Sequence, residues 1–189
     1  MKKAGFTFIE MAVVVAIIGL VIPVVFSIVY VIIREQVKIY RLSEVKRQGD
    51  FVLSTIENTI KNYALSTHNA VPPNDTNEIC NANATSGGDP YFRDRYNLDS
   101  YFSYSLSSSK ISSNSSVTGA TALLTTDSVI IQLIGANPLV GCTRSSIYST
   151  PVISINFSIC YNVNGSCTST RAEETAALNY STKVKMKSY

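Results

Sequence analysis

Met11 to Ile33 is a run of 23 residues without a charge, and a carboxylate, Glu10, stands at its mouth. About 20 apolar residues are enough for a helix to cross the hydrocarbon of a bilayer. The run therefore predicts a membrane-capable helix near the N-terminus. Nothing in a simple anchor needs an acid. A carboxylate at membrane depth costs about 3 kcal/mol or more and is normally kept for a role. Before Glu10 come Gly5 and the short basic stretch Met1-Lys2-Lys3-Ala4.

The order of these parts is wrong for an ordinary secretory signal. The small residues Ala4 and Gly5 precede the apolar core, and no small-x-small cleavage site follows it. A cut after Gly5 would leave the hydrophobic helix on the mature chain. Gly5-Phe6-Thr7-Phe8-Ile9-Glu10-Met11 resembles the class III signal of type IV prepilins and type II secretion pseudopilins. That pattern is a short basic leader, a glycine, an aromatic first mature residue, a glutamate as the fifth mature residue, then an apolar helix. Phe8 departs from it, because leucine is commoner there.

The resemblance implies roles for particular residues. A membrane-embedded prepilin peptidase would cut between Gly5 and Phe6, and Phe6 would be N-methylated. Glu10 would pair with the α-amino group of Phe6 in a neighbouring subunit during assembly. A buried carboxylate needs a cationic partner, and the cleavage creates one. Gly19 and Pro23 are the expected helix breakers, since proline removes a backbone donor and kinks or opens a helix.

Charge alone assigns the topology poorly. Lys2 and Lys3 would be cytoplasmic, yet Arg34, Lys38, Arg41, Lys46 and Arg47 follow the apolar run. A positive-inside count favours the reverse orientation. The processing motif and the cysteine-bearing remainder argue for a single pass through the cytoplasmic membrane with the head outside. The expected destination is then an extracellular pilus or a periplasmic pseudopilus.

Beyond the membrane run, Leu42, Val45, Gly49, Val52, Ile56, Ile60 and Tyr63 recur at spacings of three and four. That is an amphipathic helix with one packed face, and Val71-Pro72-Pro73-Asn74-Asp75 forces its end. The chain divides into a leader at 1–5, a membrane or filament-core helix at 6–33, an amphipathic helix at 34–68 and a globular β-rich head at 69–189. The fold class is α+β, a long helix packed on an antiparallel sheet, as in type IV pilins.

In the head, 75–90 reads as loop, and Tyr91 to Tyr104 is dense in aromatics expected to serve core and edge packing. Ser105 to Ser116 reads as a flexible loop or edge excursion. Strands are expected at Ser128 to Ile134, Val152 to Tyr161 and Tyr180 to Met186, where apolar residues are β-branched or alternate. Asn137-Pro138 and Asn164-Gly165 read as hairpin turns, and Arg171 to Leu178 as a short crossover. Cys80, Cys142, Cys160 and Cys167 all follow the membrane run. An even count in an exported head reads as two disulfides with three possible connectivities. Cys160 and Cys167 flank a turn-rich stretch, so Cys160–Cys167 with Cys80–Cys142 is the first expectation, and reduced buried thiols the alternative.

Several function classes lack support. Without Lys2 and Lys3 the chain carries 14 basic against 13 acidic groups, so nucleic-acid binding by bulk charge is not indicated. Asp89, Asp94 and Asp99 do not have the spacing of a calcium loop, and no cysteine pair suits zinc. The one histidine, His68, reads as a helix-end residue. No phosphate loop, GxSxG or HExxH occurs, and Glu173 and Glu174 read as a solvated turn. No enzyme activity, metal or cofactor is expected. The expected function is a structural, minor subunit of a type IV pilus-like filament. Its implied partners are other pilin subunits, the prepilin peptidase, the membrane, and the assembly platform and ATPase. The alternatives are a type II secretion pseudopilin and a pilin-anchored adhesin or DNA-uptake receptor.

Overall fold

A computed structural model describes residues 7–73, 77–80, 89–146, 149–168, 171 and 174–187. Among these residues one helix, α1 (Phe8–Tyr63, 56 residues), is followed by nine strands in two antiparallel sheets. At 1.5 Å per residue α1 is about 84 Å long. Thr7 starts it as N-cap, with its side chain accepting from the Glu10 amide. The helix runs on through Gly19 and Pro23. Proline forfeits one backbone bond, and the long apolar neighbours on both sides continue the helix.

Burial divides α1 in two. Every residue from Thr7 to Tyr40 is exposed, whereas Val45, Gln48, Gly49, Val52, Ile56 and Ile60 are buried. Those six lie on one face at helical spacing and pack on the second sheet, against β8 (Val152–Tyr161) and β9 (Ala177–Lys185). The helix ends at Tyr63, short of the expected bound at 68. Ala64–His68 is a strand, β1, pairing with β2 (Tyr91–Asp94). Local sequence does not forbid helix there. The pairing wins because it buries Ala64, Thr67 and His68 against the head.

The first sheet runs β1-β2-β3-β4-β5, with β3 at Tyr101–Ser107, β4 at Lys110–Ser115 and β5 at Thr121–Leu123. The serine-rich stretch is therefore no flexible loop. It is a tight hairpin in which Leu106 faces Ile111 and Ser107 faces Lys110. Ser108 and Ser109 turn it with φ of 50° and 60°, the left-handed pair that a two-residue hairpin needs. Serine composition hid this turn, because glycine and asparagine are its usual signals. The aromatics divide by strand alternation: Phe92, Phe102 and Tyr104 point into the core, while Tyr91 and Tyr101 stay half-buried on the opposite face.

In the second sheet β8 is the central strand. β6 (Val129–Gln132) and β7 (Val140–Thr143) share one of its edges end to end, β6 along Ser158–Tyr161 and β7 along Val152–Ile155. β9 covers the other edge along its length. Asn137-Pro138 is thus not a hairpin turn. It lies in a break between two collinear edge strands, where Asn156 N–H donates to Leu139 O at 2.9 Å. Ile153, Ile155, Phe157 and Ile159 alternate inward along β8 and are fully buried. At Asn164-Gly165 the chain does reverse tightly, with Val163 and Ser166 bonded to each other. Of the expected crossover at Arg171 to Leu178, the final residues already belong to β9.

Candidate functional site: the N-terminal segment and its seat on the head

Thr7 and Glu10 build the start of α1 as a reciprocal capping box. Glu10 Oε2 accepts from the Thr7 amide at 2.8 Å and from Thr7 Oγ1 at 2.8 Å, and the Glu10 amide donates to Thr7 Oγ1 at 3.4 Å. Each group satisfies a helix-end donor that would otherwise be orphaned. The carboxylate is therefore engaged within its own chain and remains exposed. Thr7 is the residue that sequence reasoning missed here. The Thr-x-x-Glu spacing, Thr7 to Glu10, was the signal that could have found it. Gly5 and Phe6 lie outside the described residues, as does the whole expected leader.

From Met11 to Ile33 the exposed half of α1 carries no charge on any side. Phe8, Leu20, Val24, Phe26 and Ile39 are each at least 60% exposed. Such a surface is not stable in water and marks a membrane or subunit contact. By length and composition it can cross a membrane. Charges return at Arg34, whose guanidinium lies 5.3 Å from the Tyr30 ring centre.

The helix meets the head at a polar seam. Arg47 grips Glu44 with two bonds, Nε to Oε2 at 3.0 Å and Nη2 to Oε1 at 2.7 Å. Gln48 donates to Glu44 Oε1 at 3.0 Å and to Thr126 Oγ1 at 2.9 Å, and the Ser128 hydroxyl reaches Glu44 Oε1 at 3.3 Å. The Arg47 and Gln48 bonds hold the Glu44 carboxyl at about 2, well below its usual range. Arg41 lies over the Tyr161 ring at 5.1 Å. Further along, Gly49 lets Tyr180 approach the helix, and Thr182 Oγ1 donates to Glu57 Oε1 at 3.1 Å.

The structure bonds Cys80 to Cys142 and Cys160 to Cys167. The first bridge ties the segment after β1 to β7, and the second closes the Asn164-Gly165 reversal. His68 is not a helix-end residue but the last residue of β1. It is 1% exposed, with Nε2 2.7 Å from Ser66 Oγ and Nδ1 2.8 Å from Asn77 Oδ1. It thereby pins the stretch leading to Cys80 against β1. The three aspartates of the rejected calcium reading are scattered. Asp94 Oδ1 accepts the Tyr96 amide, and burial pushes the Asp89 carboxyl up. Among the described residues no three His, Cys, Asp or Glu side chains converge as a metal site. Glu174 pairs with Arg171 at 3.7 Å, and Glu173 lies outside the described residues.

These features define a protein class: a head of two antiparallel sheets carried on a long helix whose first half is apolar and uncovered. Residues 1–22 match the model of the prokaryotic N-terminal methylation motif. That match indicates the type IV pilin and pseudopilin family, and the α+β plan of long helix and sheet head fits the type IV pilin-like fold. No curated protein and no solved structure matches the chain. The family evidence therefore rests on the N-terminal segment, and the head is described by its own residues.

Proposed function

We propose that this chain is a structural subunit, and a minor one, of a type IV pilus-like filament. It waits in the cytoplasmic membrane with its head outside. Prepilin peptidase cuts between Gly5 and Phe6, and Phe6 is methylated. The exposed half of α1 then leaves lipid for the filament core, where apolar packing replaces lipid contacts. The Glu10 carboxylate exchanges its Thr7 bonds for the charged amine of a neighbouring Phe6. That charge pair sets register between helices whose apolar surfaces would otherwise slide. The observation that carries this reading is the single carboxylate at the mouth of an uncovered apolar helix, within a matched methylation motif.

The supporting partners are other pilin subunits, the peptidase, and an assembly platform with its ATPase. A type II secretion pseudopilin would use the same N-terminal segment, and the two are separated by where the protein is found. Sheared surface filaments are purified and read by intact-mass and N-terminal peptide mass spectrometry. A peptide starting at methylated Phe6 at trace abundance supports a minor pilus subunit. The same peptide as the dominant species makes it the major subunit, and its confinement to the periplasm makes it a pseudopilin. Retention of Met1 to Gly5 on protein in the membrane fraction overturns the reading.

A further inference from the structure

The outer face of the first sheet, turned away from the core, holds a pocket of about 390 Å³ that the filament role does not use. Its volume is that of a small-ligand site. Tyr91 and Tyr101 form one wall, their rings edge to face at 5.9 Å and 87°. Ser103 and Asn114, a cross-strand pair of β3 and β4, lie at its base. The opposite wall is the β4–β5 connection, including Ser116, and the start of β5 at Thr121. Among the described residues none that lines it is charged.

The walls are fixed in place. Tyr101 N–H donates to Ser116 Oγ at 2.7 Å, and Ser116 N–H returns a bond to Tyr101 O at 2.9 Å. Gly119 turns the connection at φ +60°. The Asn114 carboxamide is held by Thr121 Oγ1 at 2.8 Å and Ser105 Oγ at 3.1 Å, so its orientation is set before any ligand arrives. The Ser103 side chain is different. The residue is 8% exposed, and its hydroxyl oxygen is open to the pocket rather than buried. A hydroxyl open to the pocket can exchange its water for a ligand hydroxyl.

We propose that this pocket binds a neutral sugar ring. Tyrosine faces suit the apolar C–H face of a pyranose, while the serine and threonine hydroxyls and the asparagine amide suit its ring hydroxyls. The uncharged lining disfavours phosphate, sulfate and sialic acid. It equally disfavours single-stranded nucleic acid, whose backbone needs cations. The inference is independent of the filament reading and stands or falls on this face alone.

The test uses the full chain in a detergent without a sugar headgroup, since a glycoside detergent would compete. Galactose, glucose and N-acetylglucosamine are titrated with saturation-transfer NMR as the readout. Saturable binding with a dissociation constant of about 1–10 mM is expected for so open a site. Tyr101→Ala weakens it by about tenfold, and Ser103→Ala by several-fold without disturbing the fold. Phe51→Ala, on the exposed face of α1, leaves it unchanged. Binding is also unchanged by added salt. Retained binding of the methyl glycosides assigns a glycan terminus as the source, and binding of the free sugars alone assigns those; either supports the proposal. It is overturned by no saturable binding of any of the three sugars. It is equally overturned by binding that survives both Tyr101→Ala and Ser103→Ala, or by binding that falls as salt rises.

Discussion

Tyr180 on β9 donates its phenolic hydrogen to Asp50 Oδ1 at 2.9 Å, reaching across the bare backbone of Gly49 on α1. The same hydroxyl lies 3.3 Å from Lys46 O. The Tyr180 ring stacks on Phe157 with centres 5.1 Å apart and planes within 13°. Helix, edge strand and core strand therefore meet through one side chain, and the glycine is what admits it.

Gly49→Ala should be destabilising. A Cβ there would sit 2.5 Å from Tyr180 Cζ and 2.6 Å from its hydroxyl oxygen. The ring cannot swing aside without leaving Phe157. A loss of about 1–3 kcal/mol is expected from overpacking. Gly19→Ala is the control, because nothing lies within 4 Å of its Cβ position. Denaturant melts of the two variants in detergent should separate them, and equal stability would show that the ring relaxes freely.

The Tyr180 hydroxyl should set an alkaline limit. Burial and the neighbouring Asp50 push it up to about 12 from the usual 10. A raised value means that the folded state favours the neutral form. Its contribution is fully present below pH 10 and is lost as pH rises through about 12. Tyr180→Phe should cost about 1 kcal/mol at neutral pH and flatten this limb. Thermal melts across the alkaline range would reveal it.

An acid limit should come from Glu44. Its carboxyl is lowered to about 2 from 4.5. A depressed value stabilises the fold above pH 4.5, and that contribution is lost as pH falls through about 2. Arg47 is 69% exposed, so solvent screening limits the effect to about 1 kcal/mol. Glu44→Gln should flatten stability between those two pH values. An unchanged acid limb would assign it to other carboxylates.

Removing the two disulfides should not cost the same. Cys80–Cys142 spans 62 residues and Cys160–Cys167 spans 7. Loop-closure entropy gives about 4 kcal/mol for the first and about 2 for the second. Paired Cys→Ser variants, compared by urea denaturation, should fall in that order. The reverse order would mean that the short bridge holds more than its own turn.

Glu10→Val should leave cleavage and membrane insertion intact and stop incorporation into filaments. Thr7→Ala should loosen only the first turn, by about 1 kcal/mol. Fractionation followed by mass spectrometry of sheared filaments would read both. Normal incorporation of the Glu10 variant would remove the register role proposed for that carboxylate.

The sequence by itself determined the parts whose physics is local. A charge-free run with one acid at its mouth is a linear pattern, and so is the 3–4 spacing from Val45 to Ile60 and the alternation along β8. The N-terminal segment was legible for this reason, although the Thr7–Glu10 capping box inside it went unread. Tertiary structure alone decided where α1 stops. Ala64 to His68 leaves the helix because β2 is there to pair with it, a partner more than 20 residues away along the chain. It also placed β6 and β7 on one edge of β8, buried His68 between Ser66 and Asn77, and turned the serine-rich stretch into a hairpin whose faces build a pocket. These outcomes depend on which surfaces meet after the chain closes on itself. No window of sequence carries that information, because burial and pairing energies belong to two segments at once.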